Sequence, residues 1–343
     1  MSEQSQSFFF FYTITIYKSG LHFKLSSEYG IHLKNTQTYN SNGKLLFTGE
    51  YLVLEGAKAL ALPTKFGQDL VVEFIEEPKL YWESYDDKGQ IWFHTIFQLP
   101  LTNLLAHEKI ALTLFQILQQ AQKQNPNFLS GKQGFKVKTN LDFPRDWGLG
   151  SSSTLINNIA KWSNINAFEL LQKTMGGSGY DIACAQNESP ILYKLTPSVA
   201  DTFLKPQVTT INYKPKFSDQ LYFVHLNKKQ ISSKEIQRFK EMQKGKEEAI
   251  KTISEITELL VKTTKLDDFE KLIKEHEKLL ASVLQRPTVQ ELLFKDYFGQ
   301  TKSLGAWGGD FILATGNDDT PKYFKKKGFE TVLLYDEMIL NTN

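Results

Sequence analysis

The sequence is poor in cysteine and has no excess of charge of either sign. Of its 343 residues only Cys184 is a cysteine, so the chain forms no internal disulfide. Such a chain is typical of a reducing compartment, and we expect a cytoplasmic protein. The 40 basic and 38 acidic residues nearly cancel. They give no electrostatic basis for binding nucleic acid or an anionic membrane, whereas a small anionic ligand needs only a local basic pocket.

Long hydrophobic runs are also missing from the sequence. The most apolar segment, residues 8–17, is far shorter than the roughly 20 residues that a membrane helix needs. Residues 1–7 carry Glu3 and no Lys or Arg, which excludes the layout of a secretory signal. We interpret residues 1–37 as an extension, either an extra strand or an upstream start wrongly included, with the natural start near Thr38.

The rest of the sequence alternates short apolar runs with turn residues, as in an ordinary globular protein. Strands are predicted at 44–54, 59–63, 70–74, 81–82, 91–97, 135–140, 191–194, 221–226, 311–314 and 331–335, and helices at 104–123, 155–162, 167–175 and 320–327. A further helix has an apolar stripe at Leu266, Phe269, Leu272, Ile273, His276, Leu279, Leu280 and Val283. His276 lies on this stripe without a partner nearby in sequence, so we interpret it as structural rather than catalytic.

Residues 142–154 form a glycine turn followed by serines, between a predicted strand and a predicted helix. Gly148 and Gly150 let the backbone approach an anion, and the N-terminus of the helix offers N–H groups and a favourable dipole. Ser151 and Ser152 add hydroxyls for phosphate oxygens or Mg²⁺. The alternative is an ordinary serine N-cap after a glycine turn.

Two other glycine segments, 43–51 and 302–310, accompany this loop. Together the three segments resemble the three motifs of the GHMP kinases, a superfamily of small-molecule kinases, over the chain from about Thr38 to its end. No Walker-type phosphate loop competes with this interpretation. The resemblance implies an α+β fold with an ATP-binding α/β half at 38–220, whose left-handed βαβ unit carries the phosphate loop, and a ferredoxin-like half at 221–343.

The resemblance implies ATP and Mg²⁺ as cofactors, a small anionic acceptor as the partner, and a monomer or homodimer. It also implies roles for individual residues. The ATP phosphates would be bound by Gly148, Leu149, Gly150, Ser151, Ser152 and Ser153. Lys44 and Asp181 would be catalytic, although Asp181 alone is also typical of a turn. The third motif, which would face the substrate or form a tight turn, contributes Lys302, Ser303, Gly305, Ala306, Gly308 and Gly309. Arg145 and Lys65 are further candidates for binding substrate anions.

Within the superfamily, the details favour the phosphomevalonate kinase branch. Residues 49–51 (Gly-Glu-Tyr), 177–183 and 302–310 resemble its motifs. Mevalonate kinase, a little-characterised bacterial branch and, less favoured, a galactokinase-like enzyme are the alternatives.

Two residues depart from the family pattern. Trp307 replaces a glycine and would narrow the third loop. Leu170 stands where mevalonate kinases have a glutamate, which leaves Ser152 and, one position away, Glu169 as candidate Mg²⁺ ligands. These departures also support a rival, a non-catalytic protein that binds nucleotide.

Overall fold

The computed structural model describes residues 15–17, 20–22, 36–102, 108–197, 205–228, 237, 239, 241, 246–305, 307 and 309–340. Contacts divide the chain into two compact units, residues 1–35 and 36–343. In the first unit, strands β1 (Thr15–Tyr17) and β2 (Gly20–His22) form an antiparallel pair.

A seven-stranded sheet forms the larger layer of the second unit. Its strands are β3 (Thr36–Leu46), β4 (Ala59–Ile75), β5 (Lys79–Tyr85), β6 (Ile91–Gln98), β7 (Gly134–Leu141), β8 (Ile191–Thr196) and β9 (Lys205–Thr210). The order is β6-β5-β7-β4-β8-β9, with β3 paired to β4. The pair β5 and β7 is parallel, and the other pairs are antiparallel.

The long strand β4 corrects two sequence predictions. Residues 59–63 and 70–74 belong to one strand, although Pro63 lies between them. The proline is tolerated because pairing with β8 ends at Ala61 and pairing with β7 begins at Gln68, so neither of these ladders needs an N–H at Pro63.

The predicted strand 44–54 ends early, at Leu46, and Leu52–Glu55 form a 3₁₀ helix.

Helices α1 (Lys109–Gln124), α2 (Ser151–Ser163) and α3 (Ala167–Thr174) share a core with this sheet, and α4 (Tyr180–Gln186) packs against β3 and β4. Buried residues from strands and helices, such as Trp82, Leu118 and Ile156, form that core. The predicted hairpin of β5 and β6 is confirmed. The predicted helix 104–123 begins at Lys109 within the described residues, since 103–107 lie outside them.

A second, four-stranded antiparallel sheet has the order β11 (Thr301–Ser303), β12 (Phe311–Thr315), β10 (Leu221–His225) and β13 (Val332–Leu334). Helices α5 (Lys246–Lys262), α6 (Leu266–Leu284), α7 (Val289–Leu293), α8 (Thr320–Lys326) and α9 (Tyr335–Met338) accompany it. The apolar stripe predicted from Leu266 onward is the buried face of α6, where Phe269, Ile273 and Leu280 are fully buried.

One core cluster joins the two sheets. Leu45 and Leu149 from the first half of the chain lie in the same cluster as Phe223, Phe269 and Phe311 from the second. The segment that carries Lys44 and the loop before α2 therefore rest on the same core as β12, which follows the third glycine motif. The predicted α+β class is confirmed; the handedness of the loop unit, the ferredoxin-like topology and the division at 220 stay predictions.

Among the described residues, no helix combines the length and the apolar character needed to cross a membrane.

Candidate functional site

The loop between β7 and α2 has the backbone that its glycines predict. Gly148 has φ +66° and Gly150 has φ +91°, both in the left-handed region that favours glycine. Gly150 is the N-cap of α2, and no side chain caps the helix. The alternative of a serine N-cap is therefore wrong, and α2 begins at Ser151, four residues before the predicted start. In the first turn of α2 the Ser153 N–H donates to the Gly150 carbonyl at 3.0 Å. The N–H groups of Ser151 and Ser152 come too early in the helix to have an intrahelical acceptor, which makes them donors for an anion.

The loop is fastened to the first glycine motif through the backbone. The Lys44 N–H donates to the Leu149 carbonyl at 3.0 Å. This approach depends on Gly43, which occupies an irregularity in the pairing of β3 with β4. A Cβ on Gly43 would lie 2.6 Å from Thr64 Oγ1 and 3.0 Å from the Leu149 oxygen. The first motif thus uses its glycine to let the strand and the phosphate loop meet.

Lys44 also reaches the loop with its side chain. Its Nζ donates to the Gly148 carbonyl at 2.9 Å. Its aliphatic part runs over Gly150, where an added Cβ would lie 3.1 Å from Lys44 Cγ. Within the described residues the ammonium makes no other hydrogen bond, and two of its three donors are left for a ligand.

Asp181 lies in the first turn of α4 and is bound to the same loop. The Ser153 hydroxyl donates to Asp181 Oδ2 at 2.5 Å, and the Ile182 N–H donates to Oδ1 at 3.1 Å. The two predicted catalytic residues, Lys44 and Asp181, are therefore both held against the loop from 148 to 153. They do not form an ion pair with each other within 4.0 Å in the part of the chain that the structure describes.

The three serines of the loop differ in exposure. Ser152 is exposed, Ser151 is half-buried and Ser153 is buried by its bond to Asp181. Ser151 and Ser152 can therefore offer hydroxyl oxygens to a ligand, whereas the hydroxyl of Ser153 orients the carboxylate. The Cys184 thiol lies close by in α4, but burial and the charge of Asp181 raise its pKa and keep it protonated.

Glu169, the other candidate for the metal, lies on the surface of α3. It pairs with Lys173 at 3.5 Å, and its side chain is 58% exposed. Leu170, at the family's glutamate position, is buried in the core. In the described part of the chain, no three His, Cys, Asp or Glu side chains lie together as a metal site.

Lys302 of the third motif is fully buried and does not face a ligand. Its ammonium donates to the carboxylate of Glu50 and to the Ser303 carbonyl, the latter at 2.8 Å. Glu277 Oε1 lies 3.9 Å from the same nitrogen, and Glu277 Oε2 accepts from the Ser303 N–H at 3.0 Å. Lys302 and Ser303 therefore fix the base of the third loop.

His276 completes this buried charge cluster, which we define as Glu50, His276, Glu277 and Lys302. The Gly49 N–H donates to His276 Nε2 at 3.1 Å, so this nitrogen carries no proton and the ring is neutral. Burial, reinforced by the charge of Lys302, lowers the pKa of His276 well below its usual value. The structural interpretation of His276 is confirmed.

Burial also raises the pKa of both carboxyls in the cluster. The pKa of Glu277 rises to about 8. That of Glu50 rises too, against the opposing charge of Lys302. Sequence reasoning missed Glu50 and Glu277. Glu50 stood inside the first motif without a role, and the only signal for Glu277 was its position next to a histidine on an apolar stripe.

Trp307 points into the core. The residue is 4% exposed, and its side chain packs in one cluster with Tyr51 and Leu280. The backbone N–H of Trp307 donates to Tyr51 Oη at 2.8 Å, and the indole Nε1 donates to the Pro287 carbonyl at 3.2 Å. The expectation that this side chain narrows the loop was wrong, because the indole fills the space under the loop. Ala306 and Gly308 lie outside the described residues, and Gly305 has open space where a Cβ would be.

The third motif ends against the phosphate loop. A Cβ on Gly148 would lie 2.4 Å from Asp310 Cγ and Oδ2. Asp310 is itself in the left-handed region, with φ +50°, and its backbone is tied to Leu226 and Lys228. Gly309 is buried beside it. All three glycine segments therefore meet around Gly148.

Arg145 and Lys65 lie elsewhere. The Arg145 guanidinium stacks over the Trp92 ring at 3.6 Å. Lys65 is exposed and lines a polar cavity of about 220 Å³ with Asp69 and Asp142 among its other walls. The role of Arg145 and Lys65 in binding substrate anions stays a prediction.

No protein-family model matches the chain, and no curated protein sequence is similar to it. Solved structures are similar in fold. Mevalonate kinase from Methanococcus jannaschii has a TM-score of 0.66 at 15% identity, covering 90% of this chain and 99% of that one. Phosphomevalonate kinase from Streptococcus pneumoniae, in complex with phosphomevalonate and AMPPNP, has a TM-score of 0.64 at 19% identity, covering 87% and 99%.

Galactokinase from Lactococcus lactis, complexed with galactose, has a TM-score of 0.64 at 14% identity, covering 90% of this chain and 95% of that one. The similarity extends over nearly the whole length of each structure. The chain therefore has the fold of the GHMP kinases, as its three glycine motifs predicted.

Proposed function

We propose that the protein is an ATP-dependent small-molecule kinase and that its acceptor is 5-phosphomevalonate, in the mevalonate route to isoprenoids. The observation that carries the proposal is the joint attachment of Lys44 and Asp181 to one anion-binding loop. The Lys44 ammonium is 2.9 Å from the Gly148 carbonyl, and Asp181 is 2.5 Å from the Ser153 hydroxyl. A cation and a carboxylate at a glycine-rich helix N-terminus are the groups that phosphoryl transfer needs.

Each group has a role in this reaction. The N–H groups from Gly150 to Ser152 bind the phosphates of ATP. The two free donors of Lys44 bind the transferred phosphoryl group or the attacking oxygen and offset its charge. Asp181, held by Ser153, orients the acceptor and accepts a proton if the acceptor carries one. The protein therefore positions reactants and neutralises charge, and little covalent chemistry is asked of it.

Mg²⁺ fits the residues at the loop. Ser152 presents an exposed hydroxyl oxygen, and Asp181 presents a carboxylate. Mg²⁺ bound with a nucleotide takes most of its ligands from phosphates and water and only one or two from protein oxygens. When bound, the ion would neutralise phosphate charge. Glu169 is a weaker candidate because it is engaged by Lys173 on the surface.

The choice of 5-phosphomevalonate is supported by the sequence resemblance of residues 49–51, 177–183 and 302–310 to the motifs of that branch, and it is compatible with the fold. A phosphorylated acceptor is already mostly ionised at neutral pH, since phosphomonoesters lose their second proton near pH 6. Such an acceptor needs orientation more than it needs a strong base. Mevalonate is the neighbouring candidate, and its alcohol would depend more heavily on Asp181.

A non-catalytic protein that binds nucleotide is the rival. Trp307 no longer supports it, because the indole is buried in the core and bonded to the Pro287 carbonyl. Leu170 in place of a glutamate is its remaining support. The presence of Lys44 and Asp181 at the loop favours turnover.

The test is ADP release by the full chain with Mg²⁺-ATP and four separate acceptors: 5-phosphomevalonate, mevalonate, galactose and homoserine. Turnover with 5-phosphomevalonate alone is expected. Turnover with another acceptor alone would replace the substrate and keep the kinase. Nucleotide binding without turnover on all four would favour the non-catalytic rival. Asp181→Asn with intact folding and unchanged turnover on every acceptor would overturn the role given to Asp181.

A further inference from the structure

Tyr180, the first residue of α4, is fixed beside both proposed catalytic residues. It directly precedes Asp181, and the Lys44 Nζ lies 5.7 Å from the centroid of its ring. The half-buried ring packs against the core cluster that contains Leu46 and Ala183. The ring therefore has a defined place next to the Lys44 ammonium.

The hydroxyl of this residue has no protein partner. Two buried tyrosines of the chain, by comparison, donate to carbonyls: Tyr193 to Ser178, and Tyr297 to Thr315 at 2.7 Å. Within the described residues, Tyr180 makes no such hydrogen bond. The residue is half-buried and its hydroxyl is not enclosed, so the O–H is open to solvent and can donate to a ligand.

The surroundings of the hydroxyl decide which form it takes. Burial raises the pKa of Tyr180 well above its usual value, and the carboxylates of Asp181, Glu50 and Asp310 raise it further. The hydroxyl is therefore a donor that stays protonated near neutral pH.

We propose that Tyr180 is a catalytic residue of the kinase reaction proposed above, on which this inference rests: its phenolic O–H donates a hydrogen bond to an oxygen of the acceptor's phosphate beside Lys44. A neutral donor suits this position. The surrounding carboxylates would repel a phosphate dianion, and a permanent O–H next to the Lys44 ammonium gives that dianion a second donor. Tyr180 therefore favours an anionic acceptor over a neutral one.

The transfer step is balanced without any change in Tyr180. A bond forms between an acceptor phosphate oxygen and the γ-phosphorus of ATP. The bond from the γ-phosphorus to the bridging oxygen breaks, and its electron pair leaves with ADP. A proton on the acceptor oxygen, where there is one, passes to Asp181, and Tyr180 keeps its own proton throughout.

Tyr180→Phe removes one oxygen and keeps the packed ring. Tyr193→Phe is the matched control, because its hydroxyl donates to the Ser178 carbonyl in the same core cluster. With the full chain, kcat/KM for 5-phosphomevalonate should fall about 10- to 100-fold in Tyr180→Phe, as expected for losing a hydrogen bond to a charged group. KM for ATP and the melting temperature should not change. Tyr193→Phe should lower the melting temperature and leave kcat/KM within about twofold.

The remaining outcomes separate this inference from the proposed function. If the wild type turns over 5-phosphomevalonate and the kcat/KM of Tyr180→Phe stays within about twofold of the wild-type value, this inference alone is overturned. A wild-type protein that turns over none of the four acceptors overturns the proposed function and this inference with it. Calorimetric titration of 5-phosphomevalonate in the presence of AMPPNP gives a second readout: equal affinity of the wild type and Tyr180→Phe also overturns the inference.

Discussion

The ammonium of Lys302 and the carboxylate of Glu50 form an ion pair that is closed to solvent, with side chains 0% and 1% exposed. The pair joins the first glycine motif to the third. The sequence suggested Lys302 for binding a substrate anion, but its charge is neutralised by the buried carboxylate of Glu50. Its contribution is to hold two segments of the site in one arrangement.

Breaking this pair should destabilise the fold. In Lys302→Met the buried carboxylate of Glu50 loses its counter-charge, and we expect a loss of about 3 to 5 kcal/mol in the free energy of unfolding, measured with urea. Lys322→Met is the control, because its pair with Asp319 is exposed and should matter little. A stable Lys302→Met protein with a raised KM for the acceptor would instead place Lys302 in contact with the substrate.

The raised pKa of Glu277 predicts a dependence of stability on pH. Its pKa is about 8 in the folded state and near 4.5 in the unfolded state, so the folded protein binds the proton more tightly. The stabilising contribution is complete below about pH 4.5 and is lost as the pH rises through 8, with a slope of at most about 1.4 kcal/mol per pH unit. Glu277→Gln cannot titrate.

The unfolding free energies of the wild type and Glu277→Gln, measured in urea at pH 5, 6, 7 and 8, test this sign. The advantage of the wild type over the variant should shrink steadily across the series. A constant difference, or one that grows with pH, would contradict the raised pKa.

Ser153→Ala should lower kcat about tenfold with little effect on KM for ATP, because its hydroxyl orients Asp181 and does not face the nucleotide. The matched control lies on the same helix. Ser163 is also buried, and its hydroxyl donates to the Ile159 carbonyl at 2.7 Å. Ser163→Ala should leave kcat unchanged. Equal losses in both variants would mean that α2 is merely loosened.

Gly148→Ala should weaken binding of AMPPNP, measured by calorimetry, and lower stability. Gly176→Ala is the control, since Gly176 has the same φ of +66° but open space around it. Both variants carry the backbone cost of about 1 to 2 kcal/mol for a left-handed non-glycine residue. Only Gly148→Ala adds a contact of 2.4 Å with Asp310. Similar nucleotide affinities in the two variants would show that the Asp310 side chain moves away from the added methyl group without a cost to binding.

Local patterns in the sequence were sufficient for the elements that carry the site. The strand, glycine turn and helix around Gly148, the buried face of α6 and the hairpin of β5 and β6 were all predicted. Each depends on spacing over a few residues. Where the spacing was ambiguous, as at Leu52–Glu55, the prediction failed, because a short apolar run fits a strand and a 3₁₀ turn equally well.

The buried charge cluster could not be predicted in this way. Lys302 and Glu50 are 252 residues apart, and nothing within either motif tells a cation that faces a ligand from one paired in the core. Trp307 is similar: its direction is set by Tyr51, Leu280 and the Pro287 carbonyl, which are distant in sequence. Long-range partners decide what a polar or bulky residue at a glycine loop does.

The meeting of Gly148 with Asp310 has a consequence for how the protein matures during synthesis. Lys44 and Asp181 leave the ribosome early, but the segment that closes against their loop follows only with β12, near the end of the chain. Contacts between such distant segments form late, because the intervening chain must first be ordered. A chain that stops before β12 would therefore lack a finished site, and nucleotide affinity would report that this segment has been made and has folded against the loop.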